Sequence, residues 1–177
     1  MKNLLLSITL IAGCIDPPDT RPEEGRWLHN TAVTVRVLSN APESSAIAMR
    51  NRAIRDMYLW SDAIVARGCE VPFHFVEDEV DADRMIDFLP RELWATTGAV
   101  GATYGSRIEI LTQADGTLDM WINDPSWIVL VHELGHALGL GHNDSDPDSV
   151  MQSASNPDML PLVAVDINNA VAEIGCK

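Results

Sequence analysis

The chain has 177 residues, 26 acidic against 12 basic side chains, and a net charge of −14. That balance argues against a nucleic-acid partner, whose phosphates would repel it, while a solvated acidic surface accounts for most of the charge. The length suits one domain with its own core, and neither an internal repeat nor a second block of composition divides it.

Lys2 precedes an apolar run, Leu4 to Ile11, which ends in Ile11-Ala12-Gly13-Cys14 and is too short to span a bilayer as a mature helix. Residues 1–13 read as a secretory signal. The small residues before Cys14 resemble a bacterial lipobox, which implies that Cys14 becomes the lipidated first residue; an ordinary signal peptide cut nearby is the alternative. Several acyl chains hold a protein on a membrane without spanning it. The expectation is an exported protein, lipid-anchored to a bacterial membrane at the outer membrane or cell surface. Residues 14–26 are proline-rich and charged, too poor in apolar residues to fold alone, and read as a tether. Residues 27–177 form the domain.

Within the domain, Thr31 to Leu38 alternates and is rich in β-branched residues, which predicts the first strand. Pro42 to Arg67 predicts a long amphipathic helix ended at Gly68. Val71 to Val76 and Arg84 to Phe88 predict short strands, with Glu77, Asp78, Glu79, Asp81 and Asp83 in the loop between them. Ser106 to Thr112 and Leu118 to Ile122 predict the remaining strands, separated by a turn at Ala114-Asp115-Gly116. A helix follows, with Asn123 or Asp124 as its cap and Pro125 at its first position, and with Trp127, Ile128, Val129, Leu130, Val131, Leu134 and Leu138 as its apolar surface. Val163 to Ile174 predicts a last helix after Pro161.

The segment His132-Glu133-Leu134-Gly135-His136-Ala137-Leu138-Gly139-Leu140-Gly141-His142 carries the chemistry. On a helix, His132 and His136 stand one turn apart on the same face, so both imidazoles can converge on one metal ion. Glu133 is rotated from them and suits a base that takes a proton from water activated by the metal. A straight helix would carry His142 away from that face. Gly139 supplies the break, because glycine accepts the positive φ that ends a helix and turns the chain, and His142 can then return as the third ligand. A single histidine is usually a satisfied surface or core residue; three in this register are not. His29 and His74 have no partner at metal spacing and read as non-ligands.

The pattern resembles the metzincin zinc metallopeptidases, whose extended signature ends in a later methionine turn, matched here by Asp148-Ser149-Val150-Met151. Ala82 to Phe88 is similar to the third strand of the matrixin branch, and Asp166-Ile167 with Ile174-Gly175 to its closing helix. The resemblance implies an α+β, zincin-like fold: a twisted mixed sheet of four to five strands with an antiparallel edge strand, and three helices. It implies a monomeric endopeptidase with one catalytic Zn2+ on His132, His136 and His142, Glu133 as base, and Met151 packed beneath the histidines in a structural role. It also implies an edge strand that pairs with a protein or peptide substrate, a role assigned to Ser106 to Thr112. Some positions depart from the family. Ser153 stands where astacin-like and serralysin-like relatives place a tyrosine ligand, Asn143 follows the third histidine, and no histidine between Gly98 and Asn123 is available for a second, structural zinc.

With Cys14 set aside, Cys69 and Cys176 remain, a pair that could form a disulfide in an oxidising compartment or stay as two thiols. The acidic loops Glu77 to Asp83 and Asn143 to Asp148 could hold Ca2+, but neither has the spacing of a known calcium loop, and a solvated loop accounts for them. Two rival functions stand beside the endopeptidase. One is a non-catalytic surface lipoprotein that keeps zinc as a structural clip in a binding module. The other is a hydrolase of a non-protein amide, such as a cell-wall cross-link.

Overall fold

Alternating β-branched residues along Thr31–Val37 form the first strand, β1, and everything that positions the histidines is built outward from it. The computed structural model describes residues 30–38, 42–93, 100–112, 128–153 and 162–176. The signal, the tether, His29, the Leu118 to Ile122 strand and the capping residues Asn123, Asp124 and Pro125 lie outside the described residues.

After β1 come α1 (Glu43–Val65), β2 (Phe73–Phe75), β3 (Arg84–Pro90), β4 (Gly101–Tyr104), β5 (Arg107–Thr112), α2 (Ile128–Ala137) and α3 (Ala164–Ile174). The strands form one sheet in the order β2-β1-β3-β5-β4. All neighbours are parallel except β4, which pairs antiparallel with β5 in the register Ala102↔Glu109 and Thr103↔Ile108. Among the described residues the expected α+β architecture is therefore present, with three helices against a five-stranded mixed sheet and an antiparallel edge strand.

That edge strand is not the one expected. The segment Arg107–Thr112 lies inside the sheet between β3 and β4, and the antiparallel edge is Gly101–Tyr104, which the sequence pattern had not marked as a strand. Four residues with a glycine first and a small residue second give no legible period of two, and the tight turn at Gly105-Ser106 separates them from a more obvious neighbour.

The helix α1 buries Met49, Ala53, Met57, Trp60 and Ile64, spaced at three to four residues along one face. Each of the larger side chains, fully buried, contributes about 1.5–3 kcal/mol. Trp60 also donates its indole N–H to the Val131 carbonyl at 2.9 Å, which fixes α1 against α2 at the turn before His132. The helix ends where the sequence places its stop: Gly68 has φ +84°, in the left-handed region that glycine favours.

Two polar features stiffen the frame. Asp87, fully buried in the central strand β3, takes a two-pronged contact from Arg36 (Nε 2.6 Å, Nη2 2.9 Å) and a third from Arg107 Nε at 3.1 Å. Such charge-assisted pairing offsets the cost of burying the carboxylate and locks β1, β3 and β5 in register. Cys69, just past α1, is bonded to Cys176, just past α3, with Cα atoms 5.4 Å apart and a sequence separation of 107. Arg67 Nη1 donates to Asn168 Oδ1 at 2.5 Å beside this bond, so α3 is tied to the end of α1 in two ways.

Candidate metal centre

All ten residues of α2 are buried, consistent with its almost uniformly apolar sequence, so the histidines it carries are held by packing on every side. His132 is 2% exposed and His136 4%. The helix then closes as a Schellman turn: Leu140 N–H donates to Gly135 O at 3.0 Å, Gly139 N–H donates to His136 O at 2.9 Å, and Gly139 has φ +95°. Any residue with a Cβ would be strained there. The turn reverses the chain and brings His142 back, with its Nε2 3.3 Å from Nε2 of His132.

His132, His136 and His142 present ligand atoms that all lie within 4.8 Å of one another. The hydrogen bonds of two of the rings fix which nitrogen faces the cluster. His132 Nδ1 is 2.7 Å from the Val150 carbonyl and His136 Nδ1 is 2.8 Å from the Leu140 carbonyl. A carbonyl only accepts, so both rings carry their proton on Nδ1 and direct the Nε2 lone pair inward. At 3.3 Å from the His132 lone pair, His142 Nε2 either donates its own hydrogen to it or gives that hydrogen up and shares a cation with it, and neutral imidazoles are what zinc prefers. The donor set therefore fits Zn2+. Among the described residues this is the one group of three metal-binding side chains that converges; the carboxylates of the two acidic loops do not. His74 sits on β2, at the sheet edge opposite β4, and takes no part.

The methionine turn lies directly beneath. Met151 is 1% exposed, and a Cβ added at Gly135 would run into its Sδ and come within 3.2 Å of its Cε. Gly135, between the two helical histidines, is thus what allows the methionine to lie against the helix. Asn143 N–H donates to Met151 O at 2.7 Å, joining the third histidine's neighbour to the same turn. Asp144 closes the outer side of the loop by accepting from Ser153 N–H at 2.8 Å and from its hydroxyl, and these bonds, the backbone one first, hold its carboxyl below the ordinary aspartate range.

Asp166, fully buried near the start of α3, was visible in the sequence only as part of a closing-helix resemblance. Its Oδ1 accepts from Ser149 Oγ at 2.5 Å, and its Oδ2 from Val150 N–H at 3.1 Å and Val163 N–H at 3.3 Å. The same Val150 whose N–H it holds offers its carbonyl to His132. One carboxylate therefore sets the position of a ligand's hydrogen-bond partner.

Glu133 is 1% exposed and faces the edge strand, where Thr103 Oγ1 donates to its Oε2 at 2.6 Å. Sequence reasoning assigned Glu133 its chemistry but had no signal for Thr103, an ordinary strand residue by type.

Three converging imidazoles, two on a helix and one returned by the turn after it, with a buried glutamate one residue past the first, define a zinc-metallopeptidase type of site. Residues 119–172 match the family model of matrixin, the M10 peptidases. A structure of high choriolytic enzyme 1, a hatching enzyme zinc-protease from the medaka fish Oryzias latipes, is similar over 89% of this chain and 94% of that one, at 13% identity and a TM-score of 0.48. Over residues 119–172, the stretch that holds the three histidines, Glu133 and Met151, the chain therefore resembles the matrixin zinc metallopeptidases.

Proposed function

We propose that the protein is an endopeptidase that hydrolyses internal peptide bonds of protein or peptide substrates, with His132, His136 and His142 holding one zinc ion and Glu133 acting as general base. The observation that carries this reading is the inward convergence of the imidazoles, two with their protonation fixed by backbone carbonyls, beside a buried glutamate. Zinc held there supplies Lewis acidity, lowering the pKa of water and polarising a carbonyl. The chain's own residues do the rest. Val150 and Leu140 hold the ligand rings in the reactive tautomer, Met151 supports them from below, and Glu133 accepts the proton of the attacking water and delivers it to the leaving amine. A purely structural zinc clip has no use for a buried carboxylate held beside it, which disfavours the binding-module alternative.

The amino-terminal run and Cys14 support a companion proposal: export, lipidation at Cys14 and retention on a bacterial membrane, at the outer membrane or cell surface, with residues 14–26 as the tether. Among the described residues no helix is long and apolar enough to cross a membrane.

The test is cleavage of a diverse peptide library by the purified protein. Turnover that stops with a chelator and returns with added zinc supports the proposal. A zinc-loaded protein that cleaves nothing, or turnover indifferent to metal removal, would exclude it.

A further inference from the structure

We infer that the edge strand β4 is a clamp for the Glu133 carboxylate, with Thr103 as the positioning residue and Gly101 as the space the carboxylate occupies. This rests on the reading of Glu133 as general base. Residues 101 and 103 lie two apart on one strand and so share a face, the face turned to α2. Thr103 Oγ1 donates to Glu133 Oε2 at 2.6 Å and also lies 3.0 Å from the Glu133 backbone oxygen, so it addresses both ends of that residue. Gly101 stands at the other carboxylate oxygen. A Cβ there would fall 2.6 Å from Oε1, 2.9 Å from Glu133 Cγ and 2.6 Å from Val129 Cγ1. No side chain larger than hydrogen fits while Glu133 keeps this conformation.

The clamp is rigid because β4 is held in antiparallel register by β5, itself locked to β3 through six paired positions. It is also dry: Thr103 is 7% exposed and Glu133 1%. A hydroxyl bonded to a carboxylate in such surroundings is stronger than its counterpart in water. A glutamate side chain has three rotatable bonds, and a base that must meet its proton within hydrogen-bond reach gains from having them fixed before substrate arrives. The edge strand would thus serve the site from its inner face, by setting the base in place.

Valine matches threonine in shape and strand propensity, so T103V removes little but the hydroxyl, while T103S keeps the donor. The full zinc-loaded protein and its T103V, T103S and G101A variants are compared by peptide turnover, zinc content and crystal structure. The clamp predicts a kcat for T103V lower by about 10- to 100-fold, the loss of one hydrogen bond to a charged group, with KM changed by less than about threefold. T103S restores most of the rate, zinc content stays at the parent level, and the Glu133 carboxylate is displaced in T103V and G101A but not in T103S. Should T103V fold poorly, G101A tests the same clamp by pushing on the carboxylate from the other side. A T103V variant with the parent's kcat, or with Glu133 in the parent's position, overturns the inference. A parent protein that cleaves no peptide refutes the peptidase reading alone, and the Glu133 positions in the crystal structures still decide the clamp.

Discussion

Replacing Asp166, a residue on α3 outside the ligand set, should weaken zinc binding. Its carboxylate takes hydrogen bonds from Ser149 Oγ, Val150 N–H and Val163 N–H, and the first two donors belong to fully buried residues. D166A leaves those two without an acceptor, at about 1–3 kcal/mol each, so a destabilisation of about 2–6 kcal/mol is expected. That is a large share of the 5–15 kcal/mol that roughly bounds the stability of such a domain. D166N is the more informative change. It keeps the volume and one acceptor but turns an amide N–H towards either the hydroxyl, which can rotate to accept it, or the Val150 amide, which cannot. The milder cost, about 1–3 kcal/mol, should leave a folded protein whose Val150 carbonyl holds His132 less firmly, because a neutral amide oxygen is a weaker acceptor for the Val150 N–H than the carboxylate it replaces. Second-layer contacts of this kind are worth about 10- to 100-fold in metal affinity. Chemical denaturation of the zinc-free protein reads the first quantity, and competition with a chromophoric zinc chelator reads the second. A folded D166N protein that binds zinc as tightly as the parent would refute the chain of contacts from α3 to the ligand.

Other consequences can be checked alongside. Reducing the Cys69–Cys176 bond, which closes a 107-residue separation, should destabilise the fold by about 4–5 kcal/mol on the chain-entropy model, and denaturant unfolding with and without reductant measures it; an unchanged midpoint would show that the pair contributes nothing. Burial raises the carboxyl of Asp56 to about 7, against the opposing charge of Arg55; its two oxygens share the Nε–H of Arg52 at 2.8 and 3.0 Å. The folded chain therefore keeps a proton that the unfolded chain releases, and stability should fall as pH rises from about 4 to about 7. D56N should flatten that part of a Tm-against-pH profile relative to the parent; a parent profile that rises more steeply than that of D56N would contradict the assignment.

The sequence made some parts of this arrangement legible and hid others for identifiable reasons. The ligand triad was readable because its geometry is local: one helical turn fixes His132 against His136, and a single glycine, found at φ +95°, returns His142. The stop of α1 at Gly68 and the long strands were readable from period and punctuation. The edge strand was misplaced because β4 is four residues long and takes its character from pairing with β5, a contact that leaves no trace in its own composition. Thr103 and Asp166 were hidden for a related reason. Each acts across a large sequence distance, Thr103 on Glu133 thirty residues away and Asp166 on Val150 sixteen away, and only the assembled fold supplies the partner. Gly135 was quoted within the motif, yet its purpose, room for Met151 beneath the histidines, became visible only with both elements in place.

The most direct test of the account is the E133Q variant, assayed for peptide cleavage and for bound zinc beside the parent protein. Glutamine keeps the length and a hydrogen-bonding oxygen but cannot accept the proton, so the account predicts that turnover is abolished while zinc remains bound at the parent stoichiometry. An E133Q protein that cleaves peptides at the parent's rate would contradict the assignment of Glu133 as the base.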